Sequence, residues 1–215
     1  MAMRDENVVK CGRLKAQTVV KAVNTRNMHG YYAETKEDAL KIALNIIPRG
    51  SSVGYGGGVS VDQIGLKDAL LNGDYKLIRR EEAKTPEEMH DKYKEIFDAD
   101  FFITGANAMT EDGIIVNIDG NANRVSAIAY GPKKVIFVVG INKITKDLDS
   151  AVKRARNVAA PINAQRFNIK TPCNELGTCM NCKSPNCICS QFLITRFQND
   201  PERAHVIIVN DELGF

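Results

Sequence analysis

Five of the six cysteines in this 215-residue sequence fall within one stretch of seventeen: Cys173, Cys179, Cys182, Cys187 and Cys189. Their spacing is C-x5-C-x2-C-x4-C-x-C. The pair Cys179 and Cys182 has the C-x2-C interval by which one turn aims two thiolates at one centre. Gly177, Asn181, Pro185 and Asn186 are turn formers, as a loop wrapped around an inorganic centre requires. Metal binding deprotonates thiols, and Lys183 nearby eases the resulting negative charge. A set of unremarkable reduced cysteines is the plainer alternative, but cysteine is scarce and five in one turn-rich loop outweigh it. Thiolate-only ligation suits zinc and an iron–sulfur cluster alike. One thiol is spare for four places. An extended segment would point Cys187 and Cys189 the same way, about 6.6 Å apart, so spacing does not choose between them. Cys11, alone on the first helix, is expected to be a small core or boundary residue.

A second candidate is the glycine turn Gly54-Tyr55-Gly56-Gly57-Gly58-Val59-Ser60, where a strand feeds a helix. Glycines there let backbone N–H groups approach a ligand, and a helix start favours an anion. Two known fingerprints fail. A dinucleotide motif from Gly54 wants glycine or alanine where Val59 stands, and no Gly-Lys-Ser/Thr follows for a nucleoside-triphosphate loop. A tight turn needing positive φ explains one or two glycines. Three in a row plus Gly54 favour an anion or carboxylate site at Gly56, Gly57, Gly58 and Ser60.

Polar residues gather at other strand ends, where open α/β sheets bind ligands. Thr104 to Gly113 follows a buried strand and contains Asn107, Glu111 and Asp112. Glu111 has the chemistry of a base or nucleophile, whereas Asp112-Gly113 reads as a solvated hairpin turn. Asn117, Asn121, Asn123 and Arg124 cluster next. Amides and a guanidinium recognise carboxylates and phosphates, and Arg124 at a helix start is the stronger of these candidates. Asn142-Lys143 directly after the central strand is a pair of the same kind. His29, His90 and His205 have no partner at metal or triad spacing and receive no role.

These residues need elements to position them. Glu6 to Asn27 reads as a helix with Val9, Gly12, Ala16, Val19, Val20 and Val23 on one face. Capping boxes at Thr35 and Ser60, and Thr85-Pro86, open further helices. Thr145 is expected to cap a long helix ended by Pro161, with Lys153, Arg154 and Arg156 on its solvated face. Short strands are expected at Gly30 to Ala33, Ser51 to Gly54, Tyr75 to Ile78, Phe101 to Ile103, Ile114 to Val116, Val135 to Gly140 and His205 to Val209. Helices alternating with short apolar strands predict an α/β fold with a mostly parallel sheet flanked by helices. The expected organisation is an N-terminal helix (1–27), an α/β domain (28–170), a cysteine-rich metal loop (171–190) and a C-terminal strand region of the same domain (191–215).

Lys+Arg 29 against Asp+Glu 26 leaves a net charge of +3, and aromatic residues are not interleaved with basic ones. Both features argue against a nucleic-acid binder. No apolar run approaches the roughly 18 residues of a membrane span, and Met1 to Lys10 lacks the apolar region of a secretory signal. The expected location is the cytoplasm, where clustered cysteines hold metal or do chemistry more often than they pair.

Several segments together resemble the lactate-utilization (LUD) domain family. They are Gly54 to Ser60 with Gly65-Leu66, Thr110-Glu111-Asp112-Gly113, Asn123-Arg124-Val125, Tyr130-Gly131-Pro132 and Val139-Gly140-Ile141-Asn142-Lys143. The ending is similar too: Thr171-Pro172-Cys173, Gly177-Thr178-Cys179, Cys182, Ser184-Pro185, Ile188-Cys189 and Glu212-Leu213-Gly214-Phe215. The resemblance implies a fold similar to the sugar-phosphate isomerase and CoA-transferase group. It also implies a part in oxidation of lactate to pyruvate beside iron–sulfur partner subunits. It favours Cys173, Cys179, Cys182 and Cys189 as the ligands; Cys187 departs from the pattern, arginine being usual there. The first expectation is therefore an iron–sulfur protein, with a 4Fe-4S cluster as cofactor and zinc as the alternative. A small anionic 2-hydroxy acid is then held by the glycine turn and Arg124. Two other readings stand beside it: a transferase or isomerase with Glu111 as nucleophile and a structural zinc, and a non-catalytic subunit that docks an iron–sulfur partner.

Overall fold

A computed structural model of the chain describes residues 4–215. The first helix, α1 (Glu6–Asn24), starts where the Asp5 carboxylate accepts from the N–H groups of Asn7 and Val8. It buries Gly12, Ala16, Val19 and Val23. Strand β1 (His29–Ala33) follows, then α2 (Lys36–Ile46), capped by Thr35 through the Asp38 N–H. The next elements are β2 (Ser52–Tyr55), α3 (Val59–Gln63), α4 (Leu66–Leu71) and the two-residue β3 (Lys76–Leu77). Then come α5 (Pro86–Phe97), with proline in its first turn, and β4 (Phe101–Gly105).

The main sheet has six strands in the order β1-β10-β7-β4-β2-β3, where β7 is Lys134–Gly140 and β10 is Ala204–Val209. Every neighbouring pair is parallel. Such a sheet is buried on both faces, and the pleat sends alternate residues to opposite cores. Val135, Phe137 and Val139 of β7 join the core under α1 and α5, while Ile136 and Val138 join the one under α2 and α4. Because the strands run the same way, the turns after β2, β4, β7 and β10 all emerge on one edge.

A second, four-stranded sheet has the order β8-β5-β6-β9, with β5 as Ala108–Thr110, β6 as Ile115–Asp119, β8 as Ile144–Thr145 and β9 as Gln191–Thr195. Strand β9, which periodicity did not mark as a separate strand, pairs antiparallel with β6. Between β6 and β7 lies α6 (Asn123–Ala129).

Four local expectations are corrected. Ser60 caps nothing: α3 begins two residues earlier than a cap there would set it, at Val59, with Gly58 at the cap and no side-chain bond, and Ser60 is buried. Thr145 lies on β8, and Asp147 caps α7 (Leu148–Arg154) through the Ser150 N–H. Pro161 does not end the helix. A π-turn over Ala155–Ala159, in which the Ala160 N–H reaches back to the Ala155 carbonyl, widens the turn before it. The chain continues as α8 (Ala160–Ala164), because the wider turn removes the clash that a proline ring makes in a regular helix. Cys11 is exposed, one helical position off the buried stripe of α1.

One packing contact ties the C-terminus to the sheet edge. A Cβ on Gly140 would stand 2.5 Å from the Leu213 amide nitrogen and 2.8 Å from the Asp211 carbonyl. Gly140→Ala is expected to cost about 1–3 kcal/mol by pushing that backbone outward, read as a lower urea midpoint at unchanged slope.

Candidate functional site

The edge where the strands end holds a cleft of about 640 Å³. Gly57 and Gly58 after β2, Asn107 after β4, Lys143 after β7 and Gly214 beyond β10 all face it. Asn123 and Arg124 enter from the start of α6. Strand order thus gathers five separate polar turns that lie far apart in the sequence, where ligand sites of parallel sheets form.

The glycines are not there for positive φ. Gly50, Gly65, Gly113, Gly177 and Gly214 carry it, and Gly54, Gly56, Gly57 and Gly58 do not. Three of them are required by close approach instead. A Cβ on Gly54 would meet Ile96 at 2.8 Å, one on Gly56 the Arg124 stem at 2.7 Å, and one on Gly58 the Gly105 nitrogen at 3.0 Å. Only at Gly57 would an added Cβ point into open cleft, its nearest neighbour being the end of the Arg80 side chain at 3.2 Å. Gly57→Val is therefore expected to weaken binding of a small carboxylate in calorimetry while shifting folding stability by no more than ~0.5 kcal/mol.

The cleft wall carries Arg80, Arg124, Lys143 and Arg166 against one carboxylate side chain, Asp119. That carboxylate is already occupied. It accepts from the N–H groups of Gly120, Arg124 and Val125 at 3.0, 2.8 and 3.2 Å and so anchors the start of α6. The surplus of positive charge is left for a ligand. Arg124 donates to Asn107 Oδ1 at 2.8 Å and to the Ile118 carbonyl, bonds that fix its guanidinium beneath Gly56. Burial lowers its pKa, with Asp119 opposing and Arg80 adding to the shift. An arginine stays charged through such a shift.

Lys143 is 3% exposed, and its Nζ lies 2.9 Å from Ser60 Oγ. Burial first, then Arg154 and Arg124, push its pKa down to about 7. Among the described residues no carboxylate pairs with it. Ser60 is thus a partner of Lys143 rather than part of the cleft wall. Asn117 is buried behind the wall, donating to the Gly105 carbonyl at 3.1 Å, with its Oδ1 unpartnered. Asn142 faces away and holds the C-terminal segment, accepting from the Leu213 N–H at 3.1 Å. Gly56 lies behind Arg124 rather than on the surface. Glu111 stands apart: it belongs to the small sheet's edge and pairs with Lys146 at 2.8 Å and Lys15 at 4.0 Å.

Arg154 and Arg156 correct the expectation of a solvated helix face; of that trio only Lys153 is solvated, paired with Asp149. Arg154 donates to the carbonyls of Asn107 and Asn142, bracing two cleft turns. Arg156 donates to Asn181 Oδ1 and lies 3.9 Å from Cys179 Sγ. Arg80 and Arg166 carried no signal in the sequence, since Arg80 sits in the charged run Arg79-Arg80-Glu81-Glu82 and Arg166 stands alone, both outside any motif.

The second cavity, about 190 Å³, is lined by all five loop cysteines together with Arg156. Thr171 caps the short helix α9 (Pro172–Leu176), and Gly177 ends it in the left-handed conformation. Asn181 also has positive φ, which turns the chain between Cys179 and Cys182. Cys187 and Cys189 point the same way, with their sulfurs 3.2 Å apart. Burial and the neighbouring thiols push Cys189 up to about 12, whereas hydrogen bonds from Cys189 hold Cys187 down despite its burial. Among the described residues no three His, Cys, Asp or Glu side chains already stand as a metal-ion site. The donor set still fits a thiophilic group, since five sulfurs share one cavity with a guanidinium to offset thiolate charge.

The two cavities adjoin. Cys187 and Ile188 line both, and their backbone packs on Gly120, where a Cβ would meet Ile188 Cα at 3.1 Å. Among the described residues no helix is long and apolar enough to cross a membrane.

Comparison with known proteins bears on this arrangement. No curated protein matches the chain. A crystal structure of a DUF162 family protein from Deinococcus radiodurans is similar at 13% identity and a TM-score of 0.48, over 94% of this chain and 98% of that one. The model of the LUD domain matches residues 16–209, a span that takes in both sheets, the glycine turn, Arg124, Lys143 and all five loop cysteines. The chain belongs to the LUD domain family, which ties it to lactate utilization in general.

Proposed function

We propose that the protein is an iron–sulfur protein taking part in the oxidation of a 2-hydroxy acid, lactate, to the 2-oxo acid pyruvate. The observation that supports this most is the shared wall: a cationic cleft suited to a small carboxylate lies against a cavity of five thiols, with Cys187 and Ile188 between them. Cys173, Cys179, Cys182 and Cys189 would hold a 4Fe-4S cluster, which supplies one-electron acceptance when bound. Arg124 and the turn at Gly57 and Gly58 hold the carboxylate, and Arg80 and Arg166 raise its local concentration. Exposed Met180 and Phe192 at the rim of the thiol cavity offer the place where an iron–sulfur partner subunit docks. Glu111, ion-paired and outside the cleft, gives the transferase reading no support.

The test is metal analysis of protein purified without oxygen. Iron and sulfide in cluster proportion with visible absorbance are expected. Zinc at one per chain without colour would replace the cluster by a structural site. Neither metal, with every thiol open to alkylation, would remove the redox reading altogether.

A further inference from the structure

Lys143 differs from the other cations of the cleft. It is buried at the foot of the wall, its recorded hydrogen bond goes to a neutral hydroxyl, Ser60 Oγ at 2.9 Å, and two guanidiniums, Arg124 and Arg154, stand close enough to act on it. Toward the amine, α3 presents Ser60, α6 Arg124, α7 Arg154, and β4 and the C-terminal segment glycines. Asp62, Asp149, Asp211 and Glu212 lie on those same elements, Phe215 lines the cleft beside them, and no carboxylate side chain of the described residues pairs with Lys143. Those glycines matter sterically. A Cβ on Gly105 would lie 3.7 Å from Nζ, and one on Gly214 3.1 Å from it. The amine is therefore walled by backbone that carries no side chain, on the side that opens to the cleft.

An ammonium in such a place has lost its water and gained no counter-ion, so burial lowers its pKa and a substantial share of the amine is neutral at neutral pH. A lysine desolvated beside other cations is how proteins make an amine nucleophilic toward a carbonyl. We infer that Lys143 is a carbonyl-binding amine, which forms an imine with a 2-oxo acid whose carboxylate is held by Arg124. This rests on the reading of the cleft as a carboxylate site, and it adds a covalent step which that reading does not contain.

The step balances without an oxidant or reductant. The Nζ lone pair forms a bond to the carbonyl carbon while the π pair moves to oxygen. That oxygen takes a proton from the amine, and Ser60 Oγ is placed to pass it. The hydroxyl so formed then leaves as water with the second proton of the nitrogen, passed by the same Ser60 Oγ, while the nitrogen lone pair closes the C=N bond.

The experiment uses the full chain, pyruvate and sodium cyanoborohydride, with the modified lysine located by peptide mass. The result expected is one reductively attached pyruvate at Lys143, saturable in pyruvate and suppressed by lactate. Labelling is on the order of 100-fold faster than at exposed Lys146, because an ordinary lysine is almost wholly protonated at neutral pH. Lys143→Arg keeps the charge and is expected to lose the label; since the site is mapped in the unmodified protein, the test does not depend on that variant folding. Acetone, a carbonyl without a carboxylate, is expected to label poorly, and Arg124→Gln is expected to reduce labelling by pyruvate. Label spread over surface lysines, or none at Lys143 while calorimetry still records Arg124-dependent lactate binding, overturns the amine and leaves the carboxylate site standing. Label at Lys143 that acetone matches and Arg124→Gln does not alter supports the amine and overturns the carboxylate reading.

Discussion

Cys179→Ser and Cys182→Ser are each expected to leave the purified protein without the iron–sulfur centre proposed above. Both thiols belong to the tightest interval of the loop, and the positive φ of Asn181 between them bends the chain so that both sulfurs face the same cavity. The remainder of the loop has little else to hold it. Between Gly177 and Ser190 it has neither helix nor strand, and its side-chain anchors are few: Arg156 to Asn181 and Ser184 to the Lys170 carbonyl. Bound metal then carries the ordering of this segment, a contribution of about 10–16 kcal/mol in small zinc-held folds. Iron per chain is expected to fall to background, and trypsin is expected to cut after exposed Lys183 in the metal-free variants but not in the loaded protein. The six-stranded sheet, with its own two cores, is expected to keep its cooperative unfolding. Full iron content in either variant would exclude that cysteine as a ligand. Cys187→Ser separates the two candidates for the last place: with Cys189 as ligand it retains iron.

Gly56→Val is the second large effect. The residue has an ordinary backbone conformation, so strain is not the issue. Its added carbons would occupy the space of the Arg124 side chain, 2.7 Å from both Cγ and Cδ, with Phe102 Cζ at 3.0 Å behind. The guanidinium cannot keep its bond to Asn107 with its stem displaced. A charge-assisted hydrogen bond contributes about 1.5–3 kcal/mol, so lactate affinity is expected to drop roughly 10- to 150-fold. Arg124→Gln is expected to produce a loss of the same order without the clash. If Gly56→Val lowers affinity and Arg124→Gln does not, the arginine is not the carboxylate holder, and the glycine acts through the turn itself.

Local signals in the chain were legible because they are complete within a few residues. Alternating apolar strands, the caps at Thr35 and Thr85, the proline opening α5 and the crowding of five thiols each depend on neighbours in sequence. They were enough to predict a parallel α/β sheet and to mark Gly57, Asn107, Arg124 and Lys143 at strand or helix ends. Signals that needed a distant partner misled. Ser60 has the sequence of a cap and serves a lysine 83 positions away. Arg154 and Arg156 sit on what reads as a wet face and instead brace the cleft turns and the thiol loop. Glu111 lies by the small sheet, outside the cleft and ion-paired with Lys146.

In the sequence by itself, motif resemblance carried the family likeness, and patterning and spacing determined the class of sheet and the presence of a thiol-rich loop. Tertiary structure alone decided that this loop abuts the cationic cleft, that Arg80 and Arg166 belong to it, and that Lys143 is buried without a counter-ion. The reason is that periodicity and capping are short-range, whereas desolvation and the convergence of charges depend on which strands lie side by side, and that order is set by packing of the whole sheet.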